Sequence, residues 1–338
     1  MVSCSGQYVA ATFPASLPKA NMSIQVSAVQ LSFSYASKPQ EFFDRVCVPI
    51  ERAAQAGAHL VALPDYVGLM LLGISIPIEH ESLFLGDIAR ERGYTTVSEM
   101  LLAVAPAVHE FYESLFSSVA ARCKVFLAAG TVVECNDDEL FNTAYLFAPD
   151  GAIVGSQRQT HRSPREIAWG LTQGDDLFVF DIGTARVGLV IGADIDYPEV
   201  SRILALQNAN LLIHPAAYPQ WYDQSFLLDL WRPVQSNQVF GLQACVAGND
   251  FMGKSSVYAP VEMTENLHGV LAQATSADKE DIVSASLDFT ALQQAVDSYP
   301  IFESFNYELY THEFPHLYQE TFKLDRRKPG GRVPFFPF

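Results

Sequence analysis

The stretch Arg186-Val187-Gly188-Leu189-Val190-Ile191-Gly192-Ala193-Asp194-Ile195-Asp196-Tyr197-Pro198-Glu199 joins an apolar run of strand length to a turn and a proline-opened helix. The helical pattern continues to Ala209, and Asn210 to His214 reads as a second strand. Two strands separated by one helix and tight connections make a βαβ unit, which requires a parallel pair and a helix covering the sheet. The same phrase stands near the start of the chain. Ile24 to Leu31 largely alternates apolar and polar residues, as a strand does. Ser37 can cap the helix that follows, Pro39 suits its first turn, and Phe42, Val46, Ile50 and Ala53 recur on one face. Gly57 stops that helix, and His59 to Leu63 is a short apolar strand ending at Pro64.

Between the two phrases the pattern predicts a helix around Pro106 to Cys123, a strand at Val125 to Val133, and a hairpin of Thr143 to Phe147 with Ala152 to Ser156. The hairpin turn is Pro149-Asp150-Gly151, residue types that preset a tight reversal. Beyond residue 222 a long helix is expected, then strands at Ala244 to Ala247, Ser255 to Ala259, Val270 to Ala274 and Ile282 to Leu287. No Gly/Ser linker or charge block divides the chain. The expected organisation is a disordered extension over 1–22, one α/β domain over 23–298 and an aromatic arm over 299–338 at a subunit interface. The extension has no basic segment ahead of an apolar stretch, so it does not read as a secretory signal. Met22, directly before the first strand, is an alternative translation start.

Of 338 residues, 49% are hydrophobic, enough for a sizeable core, while 17% are charged, below the ~25% of an average domain. A surface so sparsely charged has neutral area available for subunit contacts. Lys and Arg number 21 against 38 Asp and Glu, a net charge of −17 that repels phosphate backbones and anionic lipid. Nucleic acid and membrane surfaces are therefore not expected partners. The five cysteines, Cys4, Cys47, Cys123, Cys135 and Cys245, form no CxxC pair and read as reduced, mostly buried thiols in a cytoplasmic protein. No GxGxxG follows a strand and no GxxxxGK[ST] occurs, so nucleotide chemistry has no support. Tyr66 to Ile78 is apolar but too short to span a bilayer, and reads as core or a channel-lining loop.

Four phrases, in order, resemble the nitrilase superfamily of carbon–nitrogen hydrolases. The first is Gly57-Ala58-His59-Leu60-Val61-Ala62-Leu63-Pro64-Asp65. The second is Leu140-Phe141-Asn142-Thr143-Ala144 with Pro149-Asp150-Gly151, leading into Gln157-Arg158-Gln159-Thr160-His161-Arg162-Ser163-Pro164-Arg165-Glu166. The third is Val187 to Glu199, similar to the family's nucleophile elbow. The fourth is Gly253-Lys254-Ser255-Ser256 with Val257 to Pro260, then Gly269-Val270-Leu271-Ala272. The resemblance covers roughly residues 24–290 and implies an α/β fold, the four-layer α-β-β-α sandwich. In the family a cysteine at the elbow attacks the substrate carbon, a glutamate is general base and acid, and a lysine stabilises the developing charge. The chain departs at all three positions: Asp65 stands at the glutamate, Gln159 at the lysine and Gly192 at the cysteine. Glu166 matches the family's second glutamate, and Asp194 and Tyr197-Pro198-Glu199 are kept. Gln238 to Gln243 departs again, where active members carry an arginine-alanine-x-glutamate-asparagine stretch.

Since glycine cannot form an acyl-enzyme, cysteine-dependent hydrolysis is expected to be absent. The leading expectation is a non-hydrolytic pseudoenzyme that binds a small molecule or serves assembly. An altered hydrolase of amide, nitrile or carbamoyl C–N bonds, using water activated by Asp65 or Glu166, is the alternative; a structural subunit of an active homologue is another. The expected ligand site comprises Asp65, Gln159, His161, Glu166, Gly192 and Ala193. Without the lysine it is expected to take a neutral or cationic small molecule, an amide or an amine. No cofactor is expected. A metal held by His161, Glu166, Asp194 and Asp196 is disfavoured, because Asp194 and Asp196 alternate around a turn and nothing resembles HExxH. Trp221, Tyr222, Phe226 and Trp231 are candidates for the pocket wall or for packing. The resemblance implies pairing through the helices beside the elbow, so a homodimer or larger homo-oligomer is expected.

Overall fold

The computed structural model describes residues 23–78, 84–219, 230–248 and 251–321. The expected extension, the end of the arm, and Trp221, Tyr222 and Phe226 lie outside them.

The first half of the chain runs β1 (Ser23–Ser32), α1 (Pro39–Phe42), a π-helical segment (Phe43–Cys47), α2 (Val48–Gln55) and β2 (Leu60–Ala62). It continues through α3 (Leu72–Ser75), α4 (Leu85–Glu91), α5 (Val97–Cys123), β3 (Phe126–Asn136), β4 (Glu139–Phe147), β5 (Ile153–Arg158) and α6 (Pro164–Trp169). The second half runs β6 (Val179–Asp181), β7 (Arg186–Leu189), a 3-10 turn (Gly192–Asp196), α7 (Pro198–Leu206) and β8 (Leu211–Ala216). After it come α8 (Trp231–Asn237), β9 (Phe240–Ala247), β10 (Ser256–Tyr258), β11 (Val270–Gln273), β12 (Asp281–Asp288), α9 (Phe289–Ser298) and α10 (Tyr307–Thr321).

The strand order is β5-β4-β3-β2-β1-β9-β8-β7-β6, with β12 added to β1 and β10–β11 added to β9. β1 and β9 share only Leu31↔Val246 and Ser32↔Ala247, so the ladder turns there into two sheets that face each other. Alternation in the strands explains the layers. Ile24, Val26, Ala28, Leu60 and Ala62 enter one cluster with Val187, Leu189, Leu211, Ile213, Leu242 and Ala244, which is the space between the sheets. Their neighbours Val29, Leu31, Val61 and Leu63 point the other way, onto Phe42, Val46 and Ile50 and onto α5. On the far side Val190, Val200, Leu204, Leu212 and Val234 pack α7 and α8 against the second sheet. The result is the α-β-β-α sandwich expected from the sequence.

Several boundaries differ. The helix expected around Pro106 starts at Val97, because Thr96 accepts the Glu99 N–H and caps it, leaving Pro106 inside the helix. Ser37 is not the N-cap of α1; Lys38 is, and the Ser37 hydroxyl donates to Glu41 instead. The helix expected beyond residue 222 is described only as α8. No helix among the described residues is long and apolar enough to cross a membrane.

Candidate active site

The site lies where β2, β5 and β7 end. The apolar run of β2 carries the chain through Pro64 to Asp65, which is 1% exposed. Gly130 makes this approach possible: it has φ +72, and a Cβ there would lie 2.2 Å from the Pro64 carbonyl. The register shift between Ala128 and Thr131 then brings the Thr131 hydroxyl to donate to Asp65 Oδ1 at 2.6 Å. Asn142 Nδ2 donates to the same oxygen at 3.1 Å, and the Tyr66 amide at 3.0 Å. Tyr66 adopts φ 61, a left-handed conformation costly for a side chain of that size, held here by its amide bonds to Asp65 and Thr131. No donor among the described residues reaches Asp65 Oδ2. That oxygen lies 2.9 Å from where a Cβ on Gly192 would begin.

Gln159 follows β5, and its amide donates to the Asn142 carbonyl. Its side chain has no proton to offer a substrate: Nε2 donates to the His161 carbonyl at 2.7 Å and to Glu166 Oε2 at 3.0 Å. Asn142 Nδ2 donates to its Oε1 at 2.8 Å, which sets that orientation. Gln159 therefore does not stand in for the family's lysine as an oxyanion donor. Glu166 is part of a capping box on α6, with the Ser163 amide donating to Oε2 at 2.7 Å, and the Tyr66 hydroxyl donates to Oε1 at 2.9 Å. Asp65, Gln159, Glu166 and Gly192 thus come together as the sequence suggested.

The other candidates stand apart from this centre in different degrees. Asp194 is fully buried and takes the Thr160 hydroxyl at 2.7 Å and the His161 amide at 2.7 Å, which pins the β5–α6 loop to the elbow. The His161 ring is 3.1 Å from Asp194 and stacks on Tyr197 with centroids 3.6 Å apart; its carbonyl, rather than its ring, reaches the cluster. Ala193 sits in the first turn of the 3-10 segment, where helical bonding leaves an N–H open. No three His, Cys, Asp or Glu side chains among the described residues converge as a metal site. Trp231 Nε1 donates to the His268 carbonyl. Cys245 is buried in β9, and Cys135 is half-buried at the end of β3.

Sequence reasoning missed Tyr66 and Thr131, and quoted Asn142 without giving it a role. The three donors bind Asp65 from positions up to 77 residues away, so no local pattern marks them.

The electrostatics depart most from the sequence reading. Burial, and after it the charge of Glu166, push the Asp65 carboxyl up to about 7, against the opposing pull of Thr131, Asn142 and the Tyr66 amide. Burial likewise raises Glu166, opposed by Ser163, Tyr66 and Gln159. The two acids titrate as a pair. Tyr66 is pushed well above its ordinary value by burial and then by Glu166, so it remains a neutral donor. Behind the elbow, burial lowers His214 to about 4; its neutral ring donates from Nδ1 to the Val190 carbonyl at 2.6 Å.

A sequence model of the carbon–nitrogen hydrolase family matches residues 25–296. The chain belongs to the carbon–nitrogen hydrolase family. It is 27% identical to the human protein named omega-amidase NIT2 over 306 residues, 86% of this chain and 98% of that one. It is 28% identical to a Schizosaccharomyces pombe protein named Hydrolase C26A3.11 over 222 residues, 62% of this chain and 66% of that one. The carbon–nitrogen hydrolase from Helicobacter pylori shares the fold at a TM-score of 0.67 and 19% identity, covering 86% of this chain and 98% of that one.

These relatives correct the leading expectation from the sequence. The non-hydrolytic pseudoenzyme finds no support among proteins named as amidases and hydrolases, and the alternative of an altered hydrolase agrees with them better. The physical reason concerns Asp65: a carboxylate at its ordinary pKa of ~4 is too weak a base at neutral pH. Burial beside Glu166 removes that objection.

Proposed function

We propose that this carbon–nitrogen hydrolase cleaves the C–N bond of small non-peptide amides with water that Asp65 activates directly, without a covalent enzyme intermediate. The observation that carries this reading is Asp65 itself: a buried carboxyl with its pKa raised to about 7 and its Oδ2 turned toward the space over Gly192. A general base works best when its pKa lies near the working pH. Asp65 takes one proton as the water oxygen bonds to the carbonyl carbon. It returns that proton to the amide nitrogen as the C–N bond breaks, releasing ammonia and a carboxylic acid. In this reading the Ala193 N–H, in the first turn of the 3-10 segment, meets the developing oxyanion, and Glu166 holds Gln159 and Tyr66 in place while keeping the Asp65 pKa high. The omega-amidase names of relatives over most of the chain support an amide as substrate.

Ammonia release over a panel of small primary amides tests the reading. Release is expected to survive alkylation by iodoacetamide, and added hydroxylamine should yield no hydroxamate, since there is no acyl-enzyme to intercept. The base must be ionised, so kcat/KM should climb about tenfold per pH unit and level off above about 7. No release across the panel, or hydroxamate formation, overturns the mechanism.

Residues 23–298 are taken as the hydrolase domain and 299–338 as an arm that serves assembly. Tyr318 donates to Glu199 at 2.5 Å, and Arg202 lies over Phe302 and Phe305 at 5.0 and 5.6 Å, which seats the arm on α7 beside the elbow. Ile203, Leu206, Tyr307, Leu309 and Phe314 stay 40–66% exposed, an apolar surface suited to a second copy. Light scattering should give at least twice the single-chain mass; a monomer at micromolar concentration excludes the pairing.

A further inference from the structure

The arm helix α10 carries side chains that neither the hydrolysis nor the seat on α7 uses. Tyr310, Phe314 and Tyr318, spaced four apart, place their ring centroids 5.1 and 5.4 Å from one another, and Tyr318 reaches Glu199 on α7. His312 and His316 follow Tyr310 and Phe314 by two residues, about 200° round the helix, and so stand on its opposite side. Both are exposed, the His312 side chain by 75%. Pro315 lies inside the helix between them, yet the spacing of one turn holds, with the two rings 5.8 Å apart between centroids. Glu313 accepts from His312 Nδ1 at 3.0 Å.

Two imidazoles that share a tetrahedral zinc at N–Zn distances of ~2.0–2.1 Å hold their ring centroids about 5.2 Å apart. The observed 5.8 Å is close enough that rotation of two exposed side chains closes the gap. A metal-bound histidine ordinarily donates its other ring N–H to a carboxylate, which fixes its tautomer and aims the remaining nitrogen. Glu313 does this for Nδ1 of His312 and leaves the Nε2 lone pair to a metal. Imidazole pairs suit zinc, nickel and copper, whereas magnesium and calcium prefer oxygen. Glu308, one turn before His312, and the net charge of −17 favour a cation on this face. We propose that His312 and His316 form a two-histidine chelate for a divalent transition metal of the zinc, nickel or copper type on the outer face of the arm. Among the described residues no third His, Cys, Asp or Glu joins them as a ligand, which leaves the other positions to water. The chelate stands apart from the Asp65–Glu166 centre and does not rest on the hydrolase reading.

Calorimetric titration of the full chain, free of any affinity tag, with Zn2+ tests the chelate. Zn2+ should bind at a site that His312→Ala and His316→Ala each weaken by at least about tenfold, because the second imidazole of a chelate binds as an intramolecular ligand. Neither change threatens the helix, since alanine is the best helix former. Cu2+, which such donors hold most tightly, gives a second readout. Its paramagnetic resonance spectrum should show splitting by two imidazole nitrogens in the wild type and by one in either single variant. No Zn2+ binding at micromolar concentration, an affinity that neither single variant alters, or an affinity that survives the double change His312→Ala and His316→Ala overturns the site.

Discussion

Asp65→Asn is expected to abolish ammonia release, lowering kcat by about 10²–10⁴-fold, the usual contribution of a general base. The variant keeps the shape and an oxygen for Thr131, Asn142 and the Tyr66 amide to bind, so the loss isolates proton transfer. Glu166→Gln is the control. It removes the charge that helps hold the Asp65 pKa up, so activity should persist with the midpoint of its pH profile moved below 7. Were Glu166 the base, the two variants would exchange behaviours. Stability gives a second readout whose sign follows from the same shift. The folded Asp65 pKa of about 7 lies above its ordinary value of 3.8, so the fold prefers the protonated acid. Its contribution is complete below about pH 4 and is lost as pH rises through 7. Denaturation at pH 5 and pH 8 should therefore show the wild type losing more stability than Asp65→Asn over that interval.

Filling Gly192 should be nearly as damaging to activity, and for a steric reason. A Cβ there begins 2.9 Å from Asp65 Oδ2 and 3.2 Å from Gln159 Nε2, both closer than a carbon comfortably sits. Asp65 cannot easily retreat, because three donors hold its other oxygen. The backbone adds strain, since φ +48 suits glycine and costs a side chain ~1–3 kcal/mol. Gly192→Ala should lower Tm by several degrees and kcat by about 10²-fold or more, because its methyl intrudes where the attacking water must lie. Gly192→Cys should behave like the alanine variant and form no hydroxamate in hydroxylamine. Its thiol would meet a glutamine whose protons are already engaged, with no lysine to stabilise charge. Acyl transfer is expected only when Asp65→Glu and Gln159→Lys accompany it. A single cysteine variant that turned over amides better than the wild type would refute the direct-water mechanism.

The sequence alone determined the layered architecture and the residues that meet at the centre. Ile24, Val26 and Ala28 alternate with Val29 and Leu31, and that period of two assigned one set to the space between the sheets and the other to the helices. Pro149-Asp150-Gly151 and Pro198 marked a hairpin and a helix start because turn and cap chemistry act within a few residues. The family resemblance carried by the four phrases implied that Asp65, Gln159, Glu166 and Gly192 share one site. The start of α5 lies at Val97 rather than around Pro106, set by the local signals Thr96 and Glu99, with Pro106 inside the helix. Only the tertiary structure decided what Asp65 can do. Its pKa is a sum over burial, Glu166 and donors from Thr131 and Asn142, groups as far as 101 positions along the chain in the case of Glu166. Only the tertiary structure, too, showed that the Gln159 protons are engaged, and that the Tyr35 hydroxyl is buried with no hydrogen-bond partner among the described residues. Hydrophobic period and turn chemistry are written in neighbouring residues, whereas burial and Coulomb interactions depend on distance through space, which the order of residues does not carry.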